Sequence, residues 1–308
     1  MLHLNDATNN EMPVMVPGRQ PPARLAISSI FGAPSDPRTW SGAPSRIAKE
    51  FEALGTEIVD VFPYVTRAEM YLCAAKYMLS GYGRVPTTLS LSREPVLRSL
   101  RARRVKATMS GNNVGAVLHT GTLDLPANDW TDTDHYLYCD HTWDLWLRHE
   151  GRDDPHTLKA RAEFDEQDRI CYAQVKHIFT FGDYVRANLI DHYGVSPRRI
   201  TAVGSGMGLI EPYFGERTYD NGVLLFVAKH YFELKGGNLV LEAFRIARRI
   251  RADLRLIVVW DGADPDLPAR YPEVEFRSNI PWEALTGLYR QASLFVEPMR
   301  NDPWGQVY

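Results

Sequence analysis

Lys229 and Lys235 flank a short loop in KHYFELKGG, residues 229–237, directly after the apolar run VLLFVA. Two ammonium groups where a buried strand gives way to a helix can neutralise a diphosphate. The helix, opening at Gly236-Gly237, adds free N–H groups and a partial positive charge. Two solvated lysines on a loop are the plainer alternative. His141 ends another apolar run, HYLYCDHT; an imidazole there can hydrogen-bond substrate hydroxyls or polarise a transition state, or serve structure alone. Gly42, in TWSGAP, follows the first strand-like run. A glycine there permits close backbone approach to a ligand, or only a tight turn.

Two other patterns carry less. Asp132 and Asp134 in NDWTDTDHYLY have the spacing of carboxylates that share a metal's oxygen shell. They precede a strand instead of ending one, so they read as a solvated acidic turn, and no metal is expected. GSGMG, residues 204–208, follows the strand-like RITAV, but LIEPYFG turns away where a dinucleotide site needs an amphipathic helix.

The elements that must position these residues alternate between strand and helix. RLAISSIFG reads as a buried strand, 44–54 as a helix closed by Gly55, and TEIVDVFP as the next strand, a βαβ opening that implies a parallel sheet. Helices are expected at 66–80, 92–107 and within HTLKARAEFDEQDRICYAQVKH. VGAVLHT, HYLYCDHT, HIFTFG and RITAV are expected strands, with a helix in DYVRANLIDHYG. Turn residues at 211–222 interrupt the rhythm. It restarts with GVLLFVA, a helix at 238–251, LRLIVVW, VEFRS, a helix at 282–291 and SLFVEP. The expected organisation is a flexible tail (1–23), a first Rossmann-like domain (24–211), a linker (212–221) and a second Rossmann-like domain (222–308). Open α/β sheets bind ligands outside the carboxyl ends of their strands.

Composition bounds the partners. The 308 residues are 44% hydrophobic and 24% charged with a net charge of −3, which suits a soluble globular protein and speaks against nucleic acid as a partner. Three widely spaced cysteines fit neither a disulfide framework nor a zinc site, so reduced thiols in the cytoplasm are expected. Basic residues bunch in SREPVLRSLRARRVKA: Arg93, Arg98, Arg101, Arg103, Arg104 and Lys106. They suit a solvated helix face or, alternatively, peripheral contact with anionic lipid.

The order FVAKHYFELKGGNLVLEAF, LIVVWDG, VEFRSNIPWEALTGLYRQASLFVEP and MRNDPWGQVY closely resembles the donor-binding half of retaining glycosyltransferases of family 4. The resemblance implies a GT-B fold, two Rossmann-like domains across a cleft, and metal-independent transfer from a nucleotide-sugar to an acceptor it does not identify. It implies that Lys229, where arginine is commoner, and Lys235-Gly236 hold the diphosphate. Asp302, where glutamate is usual, would contact the donor sugar, and the backbone at Gly305 and Gln306 would hold phosphate. Asp261 and Ile280 would lie near the base. His141 and Gly42 would close the site from the first domain. The chain ends before the family's second carboxylate, so an incomplete second domain with exposed apolar surface is expected. A non-catalytic sugar-nucleotide binder and a GT-B nucleotide-sugar epimerase are the alternatives.

Overall fold

The computed structural model describes residues 21–83, 91–126, 133–150, 156–206, 213–216, 219–229, 231–262 and 264–299. They form two parallel sheets, each with helices packed on it. In the first, strands β1 (Arg24–Ser28), β2 (Glu57–Val61), β3 (Ala116–Thr120), β4 (Asp134–Cys139), β5 (His177–Thr180) and β6 (Ile200–Ala202) run in the order β2-β1-β3-β4-β5-β6. In the second, β7 (Val223–Lys229), β8 (Arg255–Trp260), β9 (Val274–Arg277) and β10 (Leu294–Phe295) run in the order β10-β7-β8-β9. Every pairing between these strands is parallel.

Both faces of the second sheet are apolar because successive side chains of a strand point to opposite sides. Phe226 and Ala228 of β7 pack with Val240, Leu241 and Phe244 of helix α7 (Gly237–Ile250). Leu225 and Val227 pack with Leu285 and Leu288 of helix α9 (Trp282–Gln291) on the other face. The first sheet is covered in the same way by α1 (Ala43–Ala53), α3 (Pro95–Asn112), α5 (Leu158–Gln174) and α6 (Asp183–Asp191). Helix α2 (Arg67–Leu79) starts with a reciprocal capping pair, Thr66 and Glu69. Two helices lie outside the sequence expectation, α4 (Trp143–Glu150) and the short α8 (Asp266–Arg270).

Each sheet reverses direction once. From β1 the chain lays β2 on one side and β3 on the other; from β7 it lays β8 on one side and β10 on the other. Loops that leave two neighbouring strands in opposite directions open a crevice between them, and ligands settle there. Among the described candidates, Gly42 and His141 lie near the first of these places and Lys229, Lys235 and Asp261 near the second.

The basic run corrects its expected role. On α3, Leu97, Arg101, Val105 and Met109 line one buried face together with Arg98, so two of the arginines point inward. Arg104 pairs with Glu69, and Arg93 and Arg98 both reach Asp168. These four arginines are engaged inside the fold, and the segment does not present them as a basic face. Among the described residues no helix is long and apolar enough to cross a membrane.

Candidate functional site

At the reversal in the first sheet, the loops after β1, β3 and β4 enclose a cavity of about 260 Å³. Its walls are largely aromatic. Trp40 and Phe31 form one side, and Trp143 and Trp146 on α4 form another, their rings stacked 4.9 Å apart. Trp40 is held by Phe181 and Tyr138, with ring centroids 5.3 and 5.8 Å away. Its backbone is left-handed (φ +43°), as are Ser41 (φ +57°) and Gly42 (φ +86°). Three successive residues in this region are costly for side chains other than glycine's. Gly42 thus relieves the last of them and opens α1. It does not line the cavity; Trp40, from the same turn, does.

His141 lies on the cavity wall. Both of its ring nitrogens are shielded from solvent and have no hydrogen-bond partner among the described residues. Burial, with the positive charges of His149 and Arg93 adding to it, lowers its pKa to about 4. Near neutral pH the ring is therefore uncharged, with one donor and one acceptor to offer. Thr142, next in sequence, is tied to Asn188 at 2.5 Å, which fixes the strand end that carries the imidazole.

Beneath the cavity runs a buried polar chain. The Ser28 hydroxyl donates to Asp124, His119 Nδ1 lies 3.1 Å from the same carboxylate, and His119 Nε2 lies 2.9 Å from His135 Nδ1. Burial acts to raise the pKa of Asp124, but His119 and Ser28 outweigh it and the net shift is downward. Burial, with His119 next, pushes His135 down to about 3. Asp124 lines the cavity, so this chain fixes the loop that forms its floor. None of these residues stood out in the sequence.

At the reversal in the second sheet the arrangement differs. Lys229 closes β7 at a register shift with φ +48°, and its ammonium sits 3.7 Å from the ring centre of Trp282. Burial lowers its pKa; Asp261 opposes the shift and Lys235 adds to it. Lys235 pairs with Glu297, whose side chain is 0% exposed, and donates to the Val227 carbonyl at 3.4 Å. Glu297 follows β10 directly, so this ion pair joins the two strands that flank the reversal. Asp261, just past β8, accepts from the Asn279 backbone N–H at 2.6 Å, and its own N–H donates to the Lys229 carbonyl at 2.9 Å. Lys229, Lys235 and Asp261 are thus brought to one carboxyl edge, as the sequence predicts.

Two further candidates are also placed by packing. Gly236 (φ +80°) opens α7, but a Cβ on it would lie 2.8 Å from Pro298 Cγ and 2.9 Å from the Pro298 carbonyl oxygen. Close packing against Pro298 is one reason for a glycine at this position. Ile280 is partly buried and packs against the cluster of Val227, Val259 and Leu285. Gly262 borders an open depression between the loops after β7 and β8, together with Tyr231, Glu233 and Arg270. Asp302, Gly305 and Gln306 lie outside the described residues, as does Asp132. Asp134 pairs with Lys176. Among the described residues no cluster of three or more acids, histidines or cysteines could hold a metal ion.

No family model and no curated protein matches the sequence. Solved structures do match the fold. Sucrose-phosphate synthase from Thermosynechococcus elongatus superposes with a TM-score of 0.61 at 13% identity, over 93% of this chain and 78% of that one. A glycosyltransferase from Rickettsia africae gives 0.54 at 12%, over 90% and 73%. A protein described as a UDP-N-acetylglucosamine 2-epimerase, from Listeria monocytogenes, gives 0.54 at 13%, over 89% and 73%. The chain therefore has the α/β GT-B fold, with two Rossmann-like domains.

Proposed function

We propose that this chain is a retaining, metal-independent glycosyltransferase of the family 4 type, moving a sugar from a nucleoside diphosphate donor to an acceptor held in the first-half cavity. The observation that carries the reading is the convergence of Lys229 and Lys235 at the carboxyl edge of β7, where the second sheet reverses. When the bond from the sugar's C1 to the diphosphate oxygen breaks, the electron pair leaves with the diphosphate. Two ammonium groups facing that oxygen stabilise the developing charge, the role a divalent cation serves elsewhere. Glu297 and Trp282 hold the two lysines at this edge, and phosphate oxygens of the donor would join them there.

His141 acts by hydrogen bonding. Its low pKa makes it a poor base and leaves a neutral ring, on the cavity wall, whose donor and acceptor have no hydrogen-bond partner among the described residues. It would hold sugar hydroxyls at the reacting centre. Asp302, Gly305 and Gln306 keep the donor-sugar and phosphate roles that the family resemblance gives them, and Asp261 a place near the base. The proposed division remains 24–211 and 222–308 with a linker at 212–221, and the proposed compartment is the cytoplasm.

The test is incubation with a panel of nucleotide sugars and candidate acceptors after chelation, with the anomeric configuration of any product read by NMR. Retained configuration without added metal is expected. Turnover that requires manganese, or inverted product, overturns the mechanism. The likeness to the Listeria protein favours one second reading, a nucleotide-sugar epimerase. Donor conversion with no acceptor present would identify it, and binding without any conversion would leave a non-catalytic sugar-nucleotide binder.

A further inference from the structure

The cavity beside His141 carries a charge that the proposed transfer does not use. Arg93 lines it, with its guanidinium 4.3 Å from the ring centre of Trp143. Behind Arg93 lies Asp168, 0% exposed, at 3.2 Å, and the same carboxylate is also held at 2.7 Å by Arg98, which is 1% exposed. One carboxylate cannot neutralise two guanidiniums. The third arginine of the cluster, Arg101, is buried; it reaches the Ser92 carbonyl and hydroxyl and faces Asp124, which is already engaged by Ser28 and His119. Counting Asp140, which also lines the cavity at the end of β4, the three arginines meet three acids; what sets Arg93 apart is that it alone of the three arginines lines the cavity and that it shares its carboxylate with Arg98. At His141 the field from Arg93 is nonetheless repulsive to a proton.

Shape restricts the occupant as strongly as charge. About 260 Å³ falls below the range for drug-sized ligands and suits a single ring. Trp146, backed by the buried Trp143, and Trp40 provide apolar walls for the C–H face of that ring, while Arg93 offers a planar fork of donors matched to a carboxylate or phosphate.

We propose that this cavity is the acceptor subsite and that it selects a monosaccharide-sized polyol bearing an anionic group, a phosphomonoester or a carboxylate, which Arg93 binds. The inference rests on the transferase reading for the word acceptor, and on the cavity alone for the anion preference. Its test is titration of the full chain with glucose, glucose 6-phosphate, glucuronate and inorganic phosphate, followed by tryptophan fluorescence and calorimetry. At least one charged sugar is expected to bind about tenfold or more tightly than glucose, and the order of the two assigns phosphate or carboxylate. Inorganic phosphate is expected to bind more weakly than the preferred sugar.

Arg93→Gln is expected to abolish the preference, because Arg98 still pairs with Asp168 and keeps the fold. Trp146→Ala is expected to weaken all three sugars together and leave the preference in place. Equal affinity for glucose and both charged sugars, no binding of any of them, or a preference that survives Arg93→Gln overturns the proposal. Nucleoside diphosphate affinity, measured on the same samples, separates the two readings. It should be unchanged within about twofold by Arg93→Gln, and anion preference in a chain that binds no nucleoside diphosphate overturns the acceptor assignment.

Discussion

The two sheets reverse in the same way, yet the loops at the two reversals build opposite sites. In the first half the crevice is walled largely by aromatic rings: Asp168 holds Arg98 behind the wall and Arg93 on it, and His141 lines the cavity with neither ring nitrogen hydrogen-bonded among the described residues. In the second half the cations themselves stand at the crevice, Lys235 held by the Glu297 carboxylate and Lys229 by the Trp282 ring. Topology supplies the place, and loop chemistry decides what it receives. A ring-shaped occupant suits the first site and a polyanion the second.

If the first half's charges are structural, the largest effect belongs to Asp168→Asn. It leaves the buried Arg98 without its counter-charge and should cost about 3–5 kcal/mol in chemical denaturation. A loss under 1 kcal/mol would show that Arg98 is solvated in a way its burial does not allow. Lys235→Met should cost about 3 kcal/mol by stranding the Glu297 carboxylate, and adding Glu297→Leu should recover most of that loss. No recovery in the double variant would mean that Lys235 stabilises the fold by packing instead of by charge.

The third effect is pH dependence. His141 is held at about 4 and His135 at about 3, both below the unfolded value of about 6.5. The unfolded chain therefore binds more protons than the folded one below that value, and stability falls as pH drops from about 6.5 towards 4. His141→Gln should remove roughly 2 kcal/mol of this acid sensitivity, read from denaturation midpoints at pH 7 and pH 4.5. An unchanged pH slope would contradict the burial of its ring. The smallest effect expected is about 1–2 kcal/mol for Gly236→Ala, which adds a Cβ against Pro298 in a left-handed backbone.

The strands were legible because both sheets are buried on two faces and so read as apolar runs; helix 282–291 matches its sequence expectation to the residue. Helix α4 was hidden because WDLWLRHE is short and follows directly on a strand-end motif. The strand expected at SLFVEP shrinks to Leu294–Phe295, and its glutamate turns inward to Lys235. An acid in an apolar run resembles an edge residue until its partner is known. The arginine cluster carried a signal that charge counting missed. Arg101 shares helical spacing with Leu97, Val105 and Met109, and Asp168 shares it with Ala160 and Phe164, so charges of opposite sign sit on two apolar stripes. Lys229, Lys235 and Asp261 were legible because they stand next to strand ends, where sequence and space coincide. Arg93, Asp124 and Glu297 meet their partners Asp168, His119 and Lys235 only through the fold.

The central claim is that the second sheet's reversal binds a nucleoside diphosphate through its lysines. Calorimetry of UDP, GDP and ADP with the unaltered chain and with Lys229→Met tests it most directly, since methionine keeps the side chain's length without its charge. At least one diphosphate should bind the unaltered chain, and the variant should lose about 1.5–3 kcal/mol of that affinity, roughly tenfold or more. If none of the three binds, or the affinity survives the substitution unchanged, the lysines hold only Trp282 and Glu297, and the account of this site is wrong.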